Sequence, residues 1–392
     1  MNTAQSPLTR HQNLLVGALC TTYGLLYLGR VNISVVLPLL AIELDVSRAQ
    51  IGILGTVFFW TYGIGNFVNG QLGSQVNPVR LVALGLLVTA LVNLAFGFQT
   101  SLVMMLALWA VNGLAQSTGW PPMLRILSER LDPSQVKRAS TLLPFSYVIG
   151  TMVTWSLLGA LAAEVNWRIA FWIPGLILLL TATLWWKAGL ATPVAASSAF
   201  RLSAILPEAR GVAFALLVAG LAGFVRNGSI IWLPSYILDS ELVSPHLVGA
   251  VAALTQVVAI PGLILAHQLV RRKSRALATA ALLLGATGLA FVLLAYSTIA
   301  LSLVVLCLSM MLLGGAFGLV TSSMPLVLAA KGRASSIAGT LNMMATFAGG
   351  LAGFSIGGLV EASGWSAVFA LWGILLLLAA TVTWRYRSEE DE

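Results

Sequence analysis

Residues 29–40 read GRVNISVVLPLL, and residues 225–237 read VRNGSIIWLPSYI. Each stretch sets one arginine in the middle of a long apolar run. In each, a Leu-Pro pair follows at the seventh and eighth positions: Leu37-Pro38 after Arg30, and Leu233-Pro234 after Arg226. Position 226 lies 196 residues beyond position 30, half of a 392-residue chain. The register persists on either side. Gly52 and Gly65 recur as Gly249 and Gly262, and Gln71-Leu72 as Gln268-Leu269. Arg138-Ala139-Ser140 recurs as Arg333-Ala334-Ser335, and Trp167, Phe171 and Gly175 recur as Trp365, Phe369 and Gly373. One match is chance; a run of them at nearly one offset is a duplication. The chain is therefore read as two copies of one unit.

Composition says what kind of unit it is. Hydrophobic residues make up 58% of the chain and charged residues 9%, and the mean hydropathy is +0.93. A soluble globular chain is about 45–50% apolar and about 25% charged, so this chain lacks the charges to cover a water-facing surface. That excludes a disordered chain, a disulfide scaffold and a nucleic-acid binder, despite a formal net charge of +8. Cys20 and Cys307 lie in apolar runs and read as small core residues, with no metal-ligand spacing. The first apolar run, from about Asn13 to Leu40, is too long for a cleavable signal and reads as a first spanning helix.

A bilayer core of about 30 Å takes about 20 apolar residues per helix. Twelve segments qualify: 13–40, 51–71, 79–98, 101–124, 139–163, 169–188, 211–236, 247–269, 277–296, 299–329, 335–358 and 365–384. The fold class expected is all-α integral membrane, in two pseudo-symmetric six-helix halves. Residues 1–190 form the first bundle, 191–210 a polar linker, and 211–392 the second bundle with a short acidic tail. Placing the N-terminus in the cytoplasm puts seventeen Lys and Arg residues on the inner face, against Arg48 and Arg168 outside. The positive-inside rule then sets both termini and the linker in the cytoplasm, with the bilayer as the standing partner.

Two basic residues remain, Arg30 and Arg226, each in the apolar part of a span. An arginine stays protonated in a protein, and at a helix centre it costs about 2.5–3.5 kcal/mol on insertion scales. All 13 acidic residues fall in loops, at helix ends or in the tail. With no intramembrane carboxylate to pair with, the two guanidinium groups are candidate ligands for an anionic substrate, presenting planar forks suited to phosphate or carboxylate. No buried acid offers a proton relay, and His246 and His267 sit near helix ends, so exchange of anions is favoured over proton symport. Other polar residues share these faces. Tyr27, Tyr23 and Ser34 lie on the stripe of Arg30; Tyr62 and Asn66 are four apart on the second span. Trp120 stands in Gly119-Trp120-Pro121-Pro122, which should break the fourth span. Ser146 and Asn342 are weaker candidates. Gly349, Gly353 and Gly357, four apart, read as a close-packing face. No metal cluster, catalytic triad or phosphate-binding glycine loop suggests an enzyme or a cofactor.

Six-helix halves repeated in one orientation resemble the major facilitator transporters. Within that superfamily the residues resemble the organophosphate:phosphate antiporters, the glycerol-3-phosphate and hexose-phosphate exchangers. Tyr23, Tyr27, Arg30, Asn32 and Pro38 carry the likeness in the first span, with Tyr62-Gly63 in the second and Asn77-Pro78 in the loop after it. The Gly119–Pro122 run continues it, as do Arg226, Gly228, Trp232, Pro234 and Tyr236. The resemblance implies that Arg30 and Arg226 hold a phosphate from opposite halves across a central cavity. The chain departs from the pattern where Val31 and Asn66 replace lysines, Ser146 replaces a histidine, and Gly70 is followed by Ser74 and Gln75. The reading is thus a carrier of a small organic anion, first a phosphate ester, working as a monomer. A carboxylate or sulfonate carrier of the anion:cation symporter type, which shares Arg30, Asn32 and Ser34, stays open. So does a transporter-like sensor of a phosphorylated ligand.

Overall fold

An apolar run in lipid has one local way to satisfy its peptide groups, the α-helix. The computed structural model describes residues 9–72, 76–189, 209–270, 276–325 and 334–391, and among them all regular structure is helical. The first half holds α1 (Arg10–Leu28), α2 (Asn32–Glu43), α3 (Arg48–Leu72), α4 (Pro78–Phe96) and α5 (Leu102–Gln116). It continues through α6 (Trp120–Arg130), α7 (Pro133–Val153), α8 (Gly159–Glu164) and α9 (Ile169–Gly189). The second half holds α10 (Ala209–Asp239), α11 (Pro245–Leu269), α12 (Ala276–Ala295), α13 (Ile299–Gly318) and α14 (Ala334–Asp391). Single π-helical turns, Thr154–Leu158 and Leu319–Ser323, follow α7 and α13. Ten helical stretches among the described residues are long and apolar enough to cross a membrane, and the molecule is an integral membrane protein.

Breaks fall where the residues demand them. Ser117–Gly119 separate α5 from α6, and Trp120-Pro121-Pro122 open the new helix, where a proline's missing N–H costs nothing. Asn77 caps α4 with its side-chain oxygen, 2.9 Å from the Val79 amide, and Pro78 follows at the first turn. The 58 residues of α14 are interrupted at Gly364, whose φ of 75° is a left-handed conformation suited to glycine.

By packing, the described residues fall into two units. The first takes in 1–40, 60–200 and 245–250; the second takes in 41–59, 201–244 and 251–392. In the first, Phe96 of α4 stacks on Phe171 of α9 at 4.3 Å, with Trp109 and Trp167 edge-on around Phe171. In the second, Phe291 of α12, Phe369 and Trp372 of α14 build a like cluster, closed by Tyr236 of α10 and by Trp365. The repeated Phe171 and Phe369 each stack on a phenylalanine of a neighbouring helix, while Trp167 meets Phe171 edge-on and Trp365 lies nearly parallel to Phe369. Backbone conformation repeats too. Asp45 and Glu241 are the only described non-glycine residues at positive φ, both at 52°, each in the turn after a spanning helix.

The first turns of α3 pack in the second unit. The Thr56 hydroxyl donates to the Gly350 carbonyl at 2.7 Å, and a side chain on Gly353 would strike Gly52 and Thr56. Gly349 lies against Asn227, and Gly357 against the Arg48 main chain. The glycine stripe of α14 is a close-packing face, as its spacing suggests. Residues 191–208 of the expected 191–210 linker, with Ser74, Gln75, Arg271, Arg272, Lys273, Arg275, Lys331 and Arg333, lie outside the described residues, while Ala209 and Arg210 already belong to α10.

Candidate functional site

Arg30 is not held within a continuous helix, as its apolar surroundings suggest. It sits in a break, Gly29–Val31, between α1 and α2. Such a break in the apolar zone frees carbonyls that must find donors, and the first unit supplies them from side chains. Asn112 Nδ2 donates to the Gly29 oxygen at 2.9 Å, and Asn93 Nδ2 to the same oxygen at 3.3 Å. Gln116 Nε2 donates to the Leu26 oxygen at 2.9 Å. Trp155 Nε1 donates to the Val31 oxygen at 3.1 Å. Asn32 joins the network through Asn93 Oδ1 and the Ala170 carbonyl, both at 2.9 Å. All of these amides are buried.

The break turns the Arg30 guanidinium into a group of aromatic rings. Its carbon lies 4.2 Å from the centre of the Tyr62 ring and 5.0 Å from that of Tyr27, within cation–π range. Tyr27 also packs on Tyr147 at 5.2 Å and on Tyr23 at 5.5 Å, and Tyr23 packs on Trp120 at 5.2 Å. Four of the candidates, Tyr23, Tyr27, Tyr62 and Trp120, therefore gather with Arg30. Asn66 is half-buried one turn along α3 from Tyr62. The Ser146 hydroxyl donates to the Leu143 carbonyl of its own helix at 2.6 Å, and its main chain lies against Gly24 where α1 and α7 cross. Among the described contacts Ser146 thus serves helix packing. Ser34 likewise turns its hydroxyl to the Val31 oxygen at 2.7 Å.

Arg226, in the second unit, sits in unbroken α10. Its Nη2 donates to Gln256 Oε1 of α11 at 3.1 Å. Its Nη1 is buried and has no hydrogen-bond partner among the described residues. Neighbouring residues of α10 bind their helix to α14. Asn227 donates to the Ala345 carbonyl at 3.1 Å, and Trp232 Nε1 to the Gly353 carbonyl at 3.0 Å. The side chain of Asn342 is exposed on α14. Elsewhere in this unit, Arg48 at the start of α3 pairs through both terminal guanidinium nitrogens with Asp239 at the end of α10, which also accepts from Trp365 Nε1 at 2.9 Å. That hydrogen bond to Asp239 raises the pKa of Arg48. Arg48 is thus provided with its own carboxylate; Arg226 has none among its described contacts.

Tyr147, Gln256, Asn93, Asn112 and Gln116 are participants that the sequence reading missed. The signal was available for the four amides: each lies within a predominantly apolar span, where a side-chain amide is costly unless bonded.

The Major Facilitator Superfamily model matches residues 19–353. The chain belongs to the Major Facilitator Superfamily. This member is 32% identical over 158 residues to the "Probable hexose phosphate transport protein" of Chlamydia trachomatis, a match covering 40% of this chain and 35% of that protein. It is 30% identical over 155 residues to the "Membrane sensor protein UhpC" of Salmonella typhimurium, again 40% of this chain and 35% of the other. These alignments span about a third of the length of the curated relatives. A crystal structure titled as a bacterial homolog to the human lysosomal transporter Spinster, inward-facing and occupied, superposes with a TM-score of 0.79. It covers 97% of each chain at 14% identity, a likeness of fold.

Proposed function

We propose that this facilitator is a secondary transporter of a small organic anion, in the first instance a phosphate ester, exchanged for phosphate or another anion by alternating access. The observation that carries the reading is Arg226 Nη1, a buried cationic N–H with no partner among the described residues. Leaving such a group unsatisfied costs more than the 1–3 kcal/mol typical of a neutral donor, and an anion oxygen is its natural acceptor. Arg30, whose guanidinium lies against the Tyr62 and Tyr27 rings, is the second ligand. The likeness to the chlamydial hexose phosphate protein supports phosphate as the anionic group.

The full architecture of this reading has twelve spans in two six-helix halves. The stretch Ile337–Tyr386, 50 residues, would reach about 75 Å as one helix. It is divided at Gly364 and counts as two spans. The 51–71 stretch of α3 adds another. Both termini face the cytoplasm of a bacterial inner membrane, and the monomer is the working unit. Closing the protein empty would leave the arginines without an anion, so crossing is favoured when loaded, which is exchange.

The test is thermal stabilisation of the purified protein by phosphate, glycerol phosphate, hexose phosphates, sulfonates and sugar acids. A ligand at 100 times its Kd adds about 2.7 kcal/mol. Stabilisation by phosphate and one ester, lost in Arg226→Ala, is the expected result. Stabilisation by carboxylates or sulfonates alone would reassign the site to the symporter type. The likeness to the Salmonella sensor favours a second reading, detection of a phosphorylated ligand. Binding with no counterflow in proteoliposomes would select it.

A further inference from the structure

Resting on the anion reading above, the geometry points to Gln256 as the residue that sets the charge of the site and makes it selective for dianions over monoanions. Gln256 is 4% exposed on α11, and its Oε1 accepts from Arg226 Nη2 at 3.1 Å. That bond fixes the guanidinium fork and leaves Nη1, buried and unpartnered, to point its donors elsewhere. A carboxylate in the same place would make the same hydrogen bond with the same side-chain length. It would also cancel the charge of Arg226 before any substrate arrived. The protein contains that alternative elsewhere in the second unit, where Arg48 is paired with Asp239. An amide orients without neutralising. Arg226 therefore keeps its whole charge for the ligand, and in a poorly hydrated setting each added ligand charge is attracted strongly. A phosphate monoester with two negative charges gains from this; a carboxylate or phosphodiester with one gains less.

Gln256 is thus a positioning and specificity residue acting through Arg226. Its test uses methyl phosphate, a dianion at pH 8, and dimethyl phosphate, its monoanionic diester. Both are titrated at fixed pH into purified wild type, Gln256→Glu, Gln256→Leu and Arg226→Ala, with thermal unfolding of each variant as the folding control. Wild type is expected to bind the dianion about tenfold tighter than the monoanion, in line with coupling between close charges. Gln256→Glu is expected to bring the two affinities together. Gln256→Leu, which removes the hydrogen bond but adds no charge, is expected to weaken both ligands while keeping their ratio.

A dianion preference unchanged in Gln256→Glu, or abolished equally in Gln256→Leu, overturns the inference while leaving the anion reading in place. Equal affinities in wild type do the same. Methyl phosphate binding that is absent, or equal in wild type and Arg226→Ala, overturns the anion reading itself and the inference with it.

Discussion

A guanidinium group buried in a membrane is tolerable only if its five N–H donors and its charge are answered. The Arg30 guanidinium lies against the rings of Tyr27 and Tyr62, and Arg226 donates to the Gln256 amide oxygen. On the proposed reading both arginines are ligands of the anion. Arg30→Ala and Arg226→Ala are each expected to weaken phosphate binding by about 30-fold or more, the loss of a charge-assisted contact of at least about 2 kcal/mol. Titration calorimetry measures the loss, with unfolding temperature as the control. Wild-type affinity in either variant would remove that arginine from the site. Tyr62→Leu deletes the closer ring. It is expected to lower stability by about 1–2 kcal/mol, the worth of a desolvated cation–π contact, with a further loss from the smaller side chain. Tyr62→Phe, keeping the ring, is expected to retain most of that stability.

Between α1 and α2 the interruption at Gly29–Val31 is an element with a purpose: it sets Arg30 off the helical path. Its carbonyls are held by Asn93, Asn112, Gln116 and Trp155. Asn112→Leu removes the shorter of two bonds to the Gly29 oxygen and fills the space with an apolar group. The expected cost is about 1–3 kcal/mol, the penalty of an under-satisfied buried group, read as a lower unfolding temperature. Because the break positions Arg30, phosphate affinity is expected to fall with it. A variant of normal affinity would show that the break does not depend on this amide. The stripe Gly349, Gly353 and Gly357 works at the same scale, by close approach. Gly353→Leu has no room beside Gly52 and Thr56. It is expected to slow transport in proteoliposomes far more than Gly339→Leu, at a position with open space.

Across the molecule, duplication shows as matched packing: Phe96 and Phe171 in one unit, Phe291 and Phe369 in the other. The second unit also carries the Arg48–Asp239 pair, with side chains 34% and 24% exposed. A double-mutant cycle on this pair, read by thermal unfolding, is expected to give a coupling of about 1 kcal/mol, at the upper end for partly solvated pairs. Coupling near zero would leave Asp239 to Trp365 alone. Reporter fusions at both termini test the membrane orientation, and cytoplasmic signals at both are the expected outcome.

Composition and repetition by themselves determined the class of this protein, its helices and the two arginines, because lipid leaves a peptide chain few choices and makes a charge within an apolar run conspicuous. The Gly119–Pro122 break was also legible, since proline starts a helix where it cannot continue one. What only the tertiary structure decided is how each arginine is held. The one local mark of the Gly29–Val31 break is Gly29, the C-cap of α1, and a lone glycine is common in spanning helices. The break exists because amides from distant helices replace the hydrogen bonds that the backbone gives up. Nor does sequence spacing join Gln256 to Arg226, thirty positions away on another helix. A side chain's partner across a helix–helix contact is set by rotation and packing of whole helices, which a single sequence encodes only collectively.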